Sequence, residues 1–281
     1  MLRVIPTADT WINELKIQLN EKTIVIDDGL TLGSVAEQYK ADADVLILNG
    51  FPAPADTVLH DGDELYLIRR GEVPTEDELE GLMASRHTPG VHARLKRAVV
   101  GIAGVGGLGS AVAVALSRVG IGRLVIADFD VVEPSNLNRQ QYFIDQIGHY
   151  KVDALACNLR RINPYVTVEA YREYLDPENI PVIFSDCEIV VEAFDRADMK
   201  AMLVNSVLEF MPQSIVVAAS GLAGFGPNNS ITTRRISRHL YVSGDSVSEA
   251  APGSGLMAPR VGIAAHHQAN QVVRIILGEE Q

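Results

Sequence analysis

The apolar positions change their period along the chain. Over residues 16–19 (Lys16-Ile17-Gln18-Leu19) and 23–26 (Thr23-Ile24-Val25-Ile26), β-branched residues alternate with polar ones on either side of Asn20-Glu21-Lys22, which predicts two half-buried strands of a hairpin. Asp27-Asp28-Gly29 ends the pair. Beyond Thr31, a good N-cap residue, Leu32, Val35, Ala36 and Tyr39 recur at helical spacing. Strands are predicted at 45–48, closed by Asn49-Gly50, and at 65–68, after Asp61-Gly62-Asp63. Residues 1–71 thus read as a small β-β-α-β-β unit. In the helical linker 72–97, Thr75 and Glu78 have capping-box spacing, and Leu79, Leu82 and Met83 share one helix face. From Ala98 the pattern alternates: strands at 98–103, 123–127, 166–170, 189–193 and 215–219, with helices at 110–119, 148–162 and 197–210 and a last one at 261–277. Such alternation predicts a doubly wound, mostly parallel α/β sheet over 98–281.

At 281 residues the chain suits one large and one small unit. Hydrophobic residues make up 47% and charged ones 21%, which excludes disorder as a general description. A formal charge of −12 works against general attraction to nucleic acid or anionic membrane, since both need a positive field. An anionic ligand must therefore be held by local groups. The first nine residues lack a basic segment followed by an apolar run, and no apolar stretch reaches the ~18 residues of a membrane span, so a cytoplasmic protein is expected. Cys157 and Cys187 are the two cysteines, and neither stands in a CxxC pair, so no disulfide framework or cysteine zinc site is expected. Both read as inert core thiols. His266-His267 is no metal pair, because adjacent helical residues point about 100° apart.

Candidate chemistry begins with Gly104-Val105-Gly106-Gly107-Leu108-Gly109, set between an apolar strand and a helix. There the glycines permit a tight turn and close backbone approach, and the helix N-terminus offers N–H groups to phosphate, so a Rossmann-like nucleotide site is predicted. Asp128, ending the second strand, suits a ribose. An NAD-dependent oxidoreductase and an ATP enzyme are equally served up to this point. The following run, Asp128-Phe129-Asp130-Val131-Val132-Glu133-Pro134-Ser135-Asn136-Leu137-Asn138-Arg139-Gln140, favours a triphosphate, whose charge must be held by groups of this type.

That run resembles the signature of the superfamily of ThiF, MoeB and the ubiquitin-activating enzymes, most of all the ThiF-like adenylyltransferases. The likeness extends over about residues 86–278 through Lys151, Arg161-Ile162-Asn163-Pro164, Glu192-Ala193-Phe194-Asp195 and Gly255-Leu256-Met257-Ala258-Pro259-Arg260-Val261-Gly262. Residues 14–71, with Leu48-Asn49-Gly50 and Asp61-Gly62-Asp63-Glu64-Leu65, resemble the ThiS-type β-grasp (ubiquitin-like) sulfur carriers. The resemblance implies an enzyme that uses ATP and magnesium (Mg2+) to adenylate the C-terminal carboxylate of a small ubiquitin-like sulfur carrier ending in Gly-Gly, in thiamine biosynthesis. It also implies roles. Asn136, Arg139 and Lys151 would contact the phosphates; Gly104, Gly106, Gly107, Gly109, Asp128, Asp130 and Gln140 would hold the nucleotide; and Asp195 would place magnesium, unless it serves only as a helix N-cap. Arg86, or else Arg94, would reach the triphosphate of a neighbouring protomer, making a homodimer.

Departures from the family pattern qualify these expectations. The two CxxC pairs of many relatives are absent, so no zinc is expected, and no cysteine follows Cys187 to form a thioester or persulfide. The reaction would then stop at the acyl-adenylate. Arg69-Arg70-Gly71 runs on into Glu72, so the fused unit has no free carboxylate as encoded, and a carrier, a regulatory remnant or part of a non-catalytic scaffold all remain open for it. The loop 221–229 lines a channel for a carrier tail or is a flexible connection. A carboxylate on a modified tRNA base is a further conceivable substrate.

Overall fold

The computed structural model describes residues 14–87 and 89–279. The chain divides into two compact units, with the boundary between Thr88 and Pro89. The reading of the first nine residues as free of a targeting signal lies outside the described residues.

In the first unit, β1 (Glu14–Leu19) and β2 (Lys22–Asp27) pair antiparallel with Leu19 opposite Lys22. The two-residue turn puts Asn20 and Glu21 at φ 46° and 65°, the left-handed turn whose twist matches that of the strands. In α1 (Leu32–Tyr39), Thr31 and Ser34 cap each other reciprocally. Next come β3 (Val45–Leu48), β4 (Phe51–Pro52) and β5 (Glu64–Ile68), giving the sheet order β2-β1-β5-β3-β4 around a core that includes Ile17, Leu32, Val35, Leu59 and Leu65. The predicted order thus holds, with β4 added. In α2 (Glu76–His87) the capping box is present, the Thr75 N–H donating to Glu78 Oε2 at 2.9 Å.

The second unit begins with α3 (Pro89–Arg97), so one helix of the 72–97 stretch is grouped with each unit. It continues through β6 (Val99–Ala103), α4 (Gly107–Arg118), β7 (Arg123–Ala127), α5 (Lys151–Ile162), β8 (Thr167–Tyr171), α6 (Ile180–Ile183), β9 (Ile189–Glu192), α7 (Ala197–Phe210), β10 (Ile215–Ala219), β11 (Thr232–Ser237), β12 (Leu240–Gly244) and α8 (Ala258–Ile276). The seven strands run β11-β12-β10-β9-β6-β7-β8, all parallel except β11. Central strands are apolar along most of their length because both faces are covered: Val100, Ile102, Leu124 and Ile126 pack in one core with side chains of α4, α5 and α8, whereas Val125, Val190 and Val216 pack in another with Leu203 and Val207 of α7. The chain leaves β6 in both directions, toward β7 and toward β9, and the crevice at such a switch is where doubly wound sheets bind ligands.

One element goes unpredicted and one expectation needs correction. The β11–β12 hairpin follows the loop 221–229 in a stretch where no strand is expected, because β11 lies at the sheet edge with little buried and so lacks the apolar alternation that marks a strand. Cys157 is exposed rather than in the core. The buried stripe of α5 contains Val152, Leu155 and Leu159, and Cys157 lies about 200° around the helix from Leu155. Cys187, by contrast, is buried, which pushes its thiol up to about 12.

A tightly constrained turn lies at the start of α4, where a Cβ on Gly109 would come within 1.9 Å of the Gly104 carbonyl oxygen. Gly109→Ala should therefore cost about 1–3 kcal/mol of stability in the second unit, seen as a lower midpoint in thermal unfolding; an unchanged midpoint would show that α4 tolerates displacement from the turn.

Candidate active site

A cavity of about 640 Å³ opens in the second unit at the carboxyl ends of the parallel strands, lined from residues following β6, β7, β8, β9 and β10. Its floor follows from the glycine turn. Gly104, at φ 84°, adopts a backbone conformation that side chains disfavour. α4 starts at Gly107 with Gly106 as its N-cap and no side-chain capping bond, so its first-turn N–H groups and dipole are directed at this end of the sheet. The turn is braced from two sides: the Tyr142 hydroxyl donates to the Val105 carbonyl (2.7 Å), and Asp128 Oδ2 accepts from the Val105 N–H (2.8 Å).

Asp128 Oδ1 in turn accepts from the Asp130 N–H at 2.9 Å. Burial raises the Asp128 pKa, against the opposing pull of Lys151 and these two backbone donors. Asp130 Oδ2 lies 2.6 Å from Lys151 Nζ. Lys151 is only 6% exposed, yet one carboxylate contact leaves further N–H donors on its ammonium. Arg139 packs its stem beside Gly107 and donates to Asn138 Oδ1 (2.7 Å) and, more weakly, to the Ser135 carbonyl (3.3 Å). No carboxylate neutralises it among the described residues.

Of the residues expected at the site, Gly104, Gly106, Gly107, Asp128, Asp130, Arg139, Gln140, Lys151 and Asp195 all line the cavity. Three do not. Gly109 acts through packing. Asn136 is turned inward: its Oδ1 accepts from the Glu133 N–H (3.0 Å) and its own carbonyl accepts from the Arg139 N–H (3.1 Å), so it shapes the turn that carries Arg139. Arg86 belongs to the first unit, where it pairs with Glu21 at 3.4 Å, and Arg94 donates to the Leu277 carbonyl at 2.8 Å. Asp195 makes no hydrogen bond or ion pair among the described residues, and the N-cap of α7 is Arg196, so the capping role is not seen. His266 and His267 are engaged separately, with the Gly262 carbonyl and the Thr233 hydroxyl.

Sequence reasoning missed Lys200 and the aromatic edge of the cavity. Phe129 and Tyr174 meet there with ring centroids 5.1 Å apart. Lys200 Nζ lies 2.9 and 3.0 Å from the two oxygens of Glu192, which is fully buried at the end of β9, and 3.1 Å from the Ala219 carbonyl. The signal was present: a glutamate ending the apolar strand Ile189-Val190-Val191 requires a cation, and α7 supplies one. Burial raises the Glu192 pKa, and Lys200 opposes the rise.

Removing Lys200 strands a buried carboxylate, a loss typically worth about 3–5 kcal/mol. In Lys200→Met the folded-state pKa of Glu192 rises further above its unfolded value, so the folded state holds the extra proton and stability falls as pH rises between the two values. Denaturant titrations should show a larger deficit at pH 8 than at pH 5; a pH-independent deficit would contradict this.

A family model described as ThiF family matches residues 82–281, and one described as ThiS-like ubiquitin matches residues 15–71. The adenylyltransferase and sulfurtransferase UBA4 of Candida albicans is 32% identical over 192 residues, 66% of this chain and 43% of that protein, so the chain spans less than half the length of this curated relative. The molybdopterin-synthase adenylyltransferase of Haemophilus influenzae is 31% identical over 191 residues, 66% of this chain and 76% of that one. The fold matches that of the E. coli tRNA N6-threonylcarbamoyladenosine dehydratase TcdA in complex with ATP, with a TM-score of 0.66 at 20% identity, covering 74% of this chain and 98% of that one. With its glycine turn, its Asp128–Lys151 network and a ThiS-like ubiquitin domain ahead of them, the chain belongs to the ThiF family.

Proposed function

We propose that the chain is an ATP-dependent adenylyltransferase that activates the C-terminal carboxylate of a ubiquitin-like sulfur carrier. One observation carries this reading: the uncapped N-terminus of α4, Arg139 and Lys151 bring positive charge to a cavity that also contains Asp195, a carboxylate without a hydrogen-bond or ion-pair partner among the described residues. Attack of a carboxylate on the α-phosphate brings two anions together, so fixed donors must offset the charge that builds up on the phosphate oxygens. Arg139 offers a planar fork for two oxygens, Lys151 a compact charge held in place by Asp130, and the α4 N–H groups a dipole. Asp128 retains lone pairs beyond its two backbone donors and can accept from ribose hydroxyls.

The donor set fits magnesium, because a hard cation of this kind commonly takes one or two carboxylates together with substrate phosphates. Asp195 would hold it, and when bound it supplies charge neutralisation on the phosphates. An NAD-linked reaction would leave Arg139 and Asp195 without a task.

The fused first unit is read as a partner-like domain rather than the substrate. Gly71 has φ 78°, the Glu72 N–H donates to the Arg69 carbonyl at 3.2 Å, and Glu72 pairs with Lys40, so the segment is a turn that runs on instead of ending in a carboxylate. The names of the relatives point to a sulfurtransferase and to molybdopterin synthesis, and a thiamine-type carrier is the alternative to test beside them. Exchange of label between pyrophosphate and ATP is therefore expected only on adding a separate carrier with a free Gly-Gly end, and the carrier that stimulates it at the lowest concentration identifies the pathway. Arg139→Ala should lower that exchange by about 10²–10³ with the fold intact. Wild-type exchange in a folded Arg139→Ala protein would sink the assignment.

A homodimer with composite sites is also proposed, in which Arg86 serves the neighbouring protomer. Mixing Arg86→Ala with Asp195→Ala protein should then restore part of the exchange, and a fully active monomer in sedimentation would rule the arrangement out.

A further inference from the structure

Arg260 is 4% exposed in the first turn of α8. A cation there opposes the helix dipole, so helix stability does not account for it. Nor does it line the cavity. Its Nη1 donates to the carbonyls of Gly226 (3.0 Å) and Pro227 (3.3 Å), and its Nη2 to Ser230 Oγ (3.1 Å) and Asp245 Oδ2 (2.6 Å). Asp245 also accepts from the N–H groups of Val247 (2.9 Å) and Ser248 (2.8 Å) and from the Ser248 hydroxyl. Burial pushes this carboxyl up, but those donors and Arg260 outweigh it and hold it far below the usual carboxylate range. Asp245 therefore stays ionised through the neutral pH range.

What the pair joins is two loops. The Asp245 N–H donates to the Gly221 carbonyl, the Ser246 N–H to the Ser220 carbonyl and the Gly224 N–H to the Gly255 carbonyl, each at 2.9 Å. The approach is close enough that a Cβ on Gly244 would come within 1.8 Å of the Ser220 oxygen, and one on Gly221 within 2.1 Å of Asp245 Oδ1. Ser220, Gly221, Leu222, Ala223, Ser248, Glu249 and Ala250 of these loops line the cavity. Apart from Leu222 and Glu249 they are small and uncharged, unlike the phosphate-facing part around Arg139 and Lys151. A wall made mostly of small residues leaves room for an extended chain with little side chain.

On the reading of the site as an adenylyltransferase, we propose that Arg260 and Asp245 are positioning residues that fix the spacing of the two loops and so select a glycine-ended acyl tail beside the nucleotide. A buried ion pair is commonly no more stabilising than apolar residues of similar size, so fixing a geometry is the role that accounts for this one.

The test uses the full chain, a β-grasp carrier ending in Gly-Gly and the same carrier ending in Ala-Gly. Asp245→Asn and the double variant Arg260→Met/Asp245→Leu are compared with wild type; the double variant leaves no unpaired buried charge and keeps the test open if the single variant does not fold. The expected result is a KM for the carrier raised about tenfold or more, the scale on which misplaced binding groups act, with a reduced preference for Gly-Gly over Ala-Gly and an ATP dissociation constant within about twofold of wild type, the site of the charged donors being intact. A lower melting temperature with unchanged carrier KM and unchanged tail preference would assign the pair to stability alone and overturn the proposal. Absence of carrier-stimulated exchange in the wild type would instead remove the adenylyltransferase reading, and this inference with it.

Discussion

The carboxylate of Asp128 bridges the ends of two parallel strands, one oxygen on the Val105 N–H and the other on the Asp130 N–H. Much of the site depends on that bridge. It holds the turn after β6 against the segment after β7, so α4 begins in one orientation relative to Asp130. Asp130 then sets the place of the nearly buried Lys151 ammonium. Gly109 permits the arrangement, since any side chain there would collide with the Gly104 carbonyl. The result is a preorganised patch of donors whose positions do not depend on a ligand, which is the condition under which charge stabilisation is strong.

The charge distribution suits an anionic ligand in a chain whose own formal charge is −12. Long-range attraction is unavailable, so binding rests on donors close to the ligand and partly shielded from water. Lys151 and Lys200 are both tied to carboxylates, Asp130 and Glu192, whereas Arg139 is tied only to neutral oxygens. Arg139 thus contributes the least compensated positive charge to the cavity wall, where Asp195, Glu173 and Glu249 have no ion-pair partner among the described residues. Where the ion pairs are buried, as at Glu192–Lys200 and Asp245–Arg260, each charge requires its partner, so these places tolerate little change.

The sequence was most legible where local rules and packing agreed. Strands 123–127 and 215–219 and the helix 197–210 coincide with β7, β10 and α7 because their apolar runs are buried as the pattern requires. The glycine turn and Asp128 were legible from their order along the chain. Less was readable where position depends on distant partners. Asn136 has a residue type suited to phosphate, but its side chain is spent on a turn. Lys200 gains its role only from the fold, which brings Glu192 of β9 beside it. The edge strand β11 escaped because exposure removes the alternation by which strands are recognised. Cys157 falls outside the core because it lies about 200° around α5 from the buried Leu155.

The central claim is transfer of an AMP group to a carrier carboxylate, and the most direct measurement is the intact mass of the carrier after brief incubation with the chain, ATP and magnesium. A carrier with a free Gly-Gly end should gain the mass of one AMP as pyrophosphate is released, and the same carrier with its terminal glycine amidated should remain unchanged. An unmodified Gly-Gly carrier in the presence of chain that binds ATP would contradict the account.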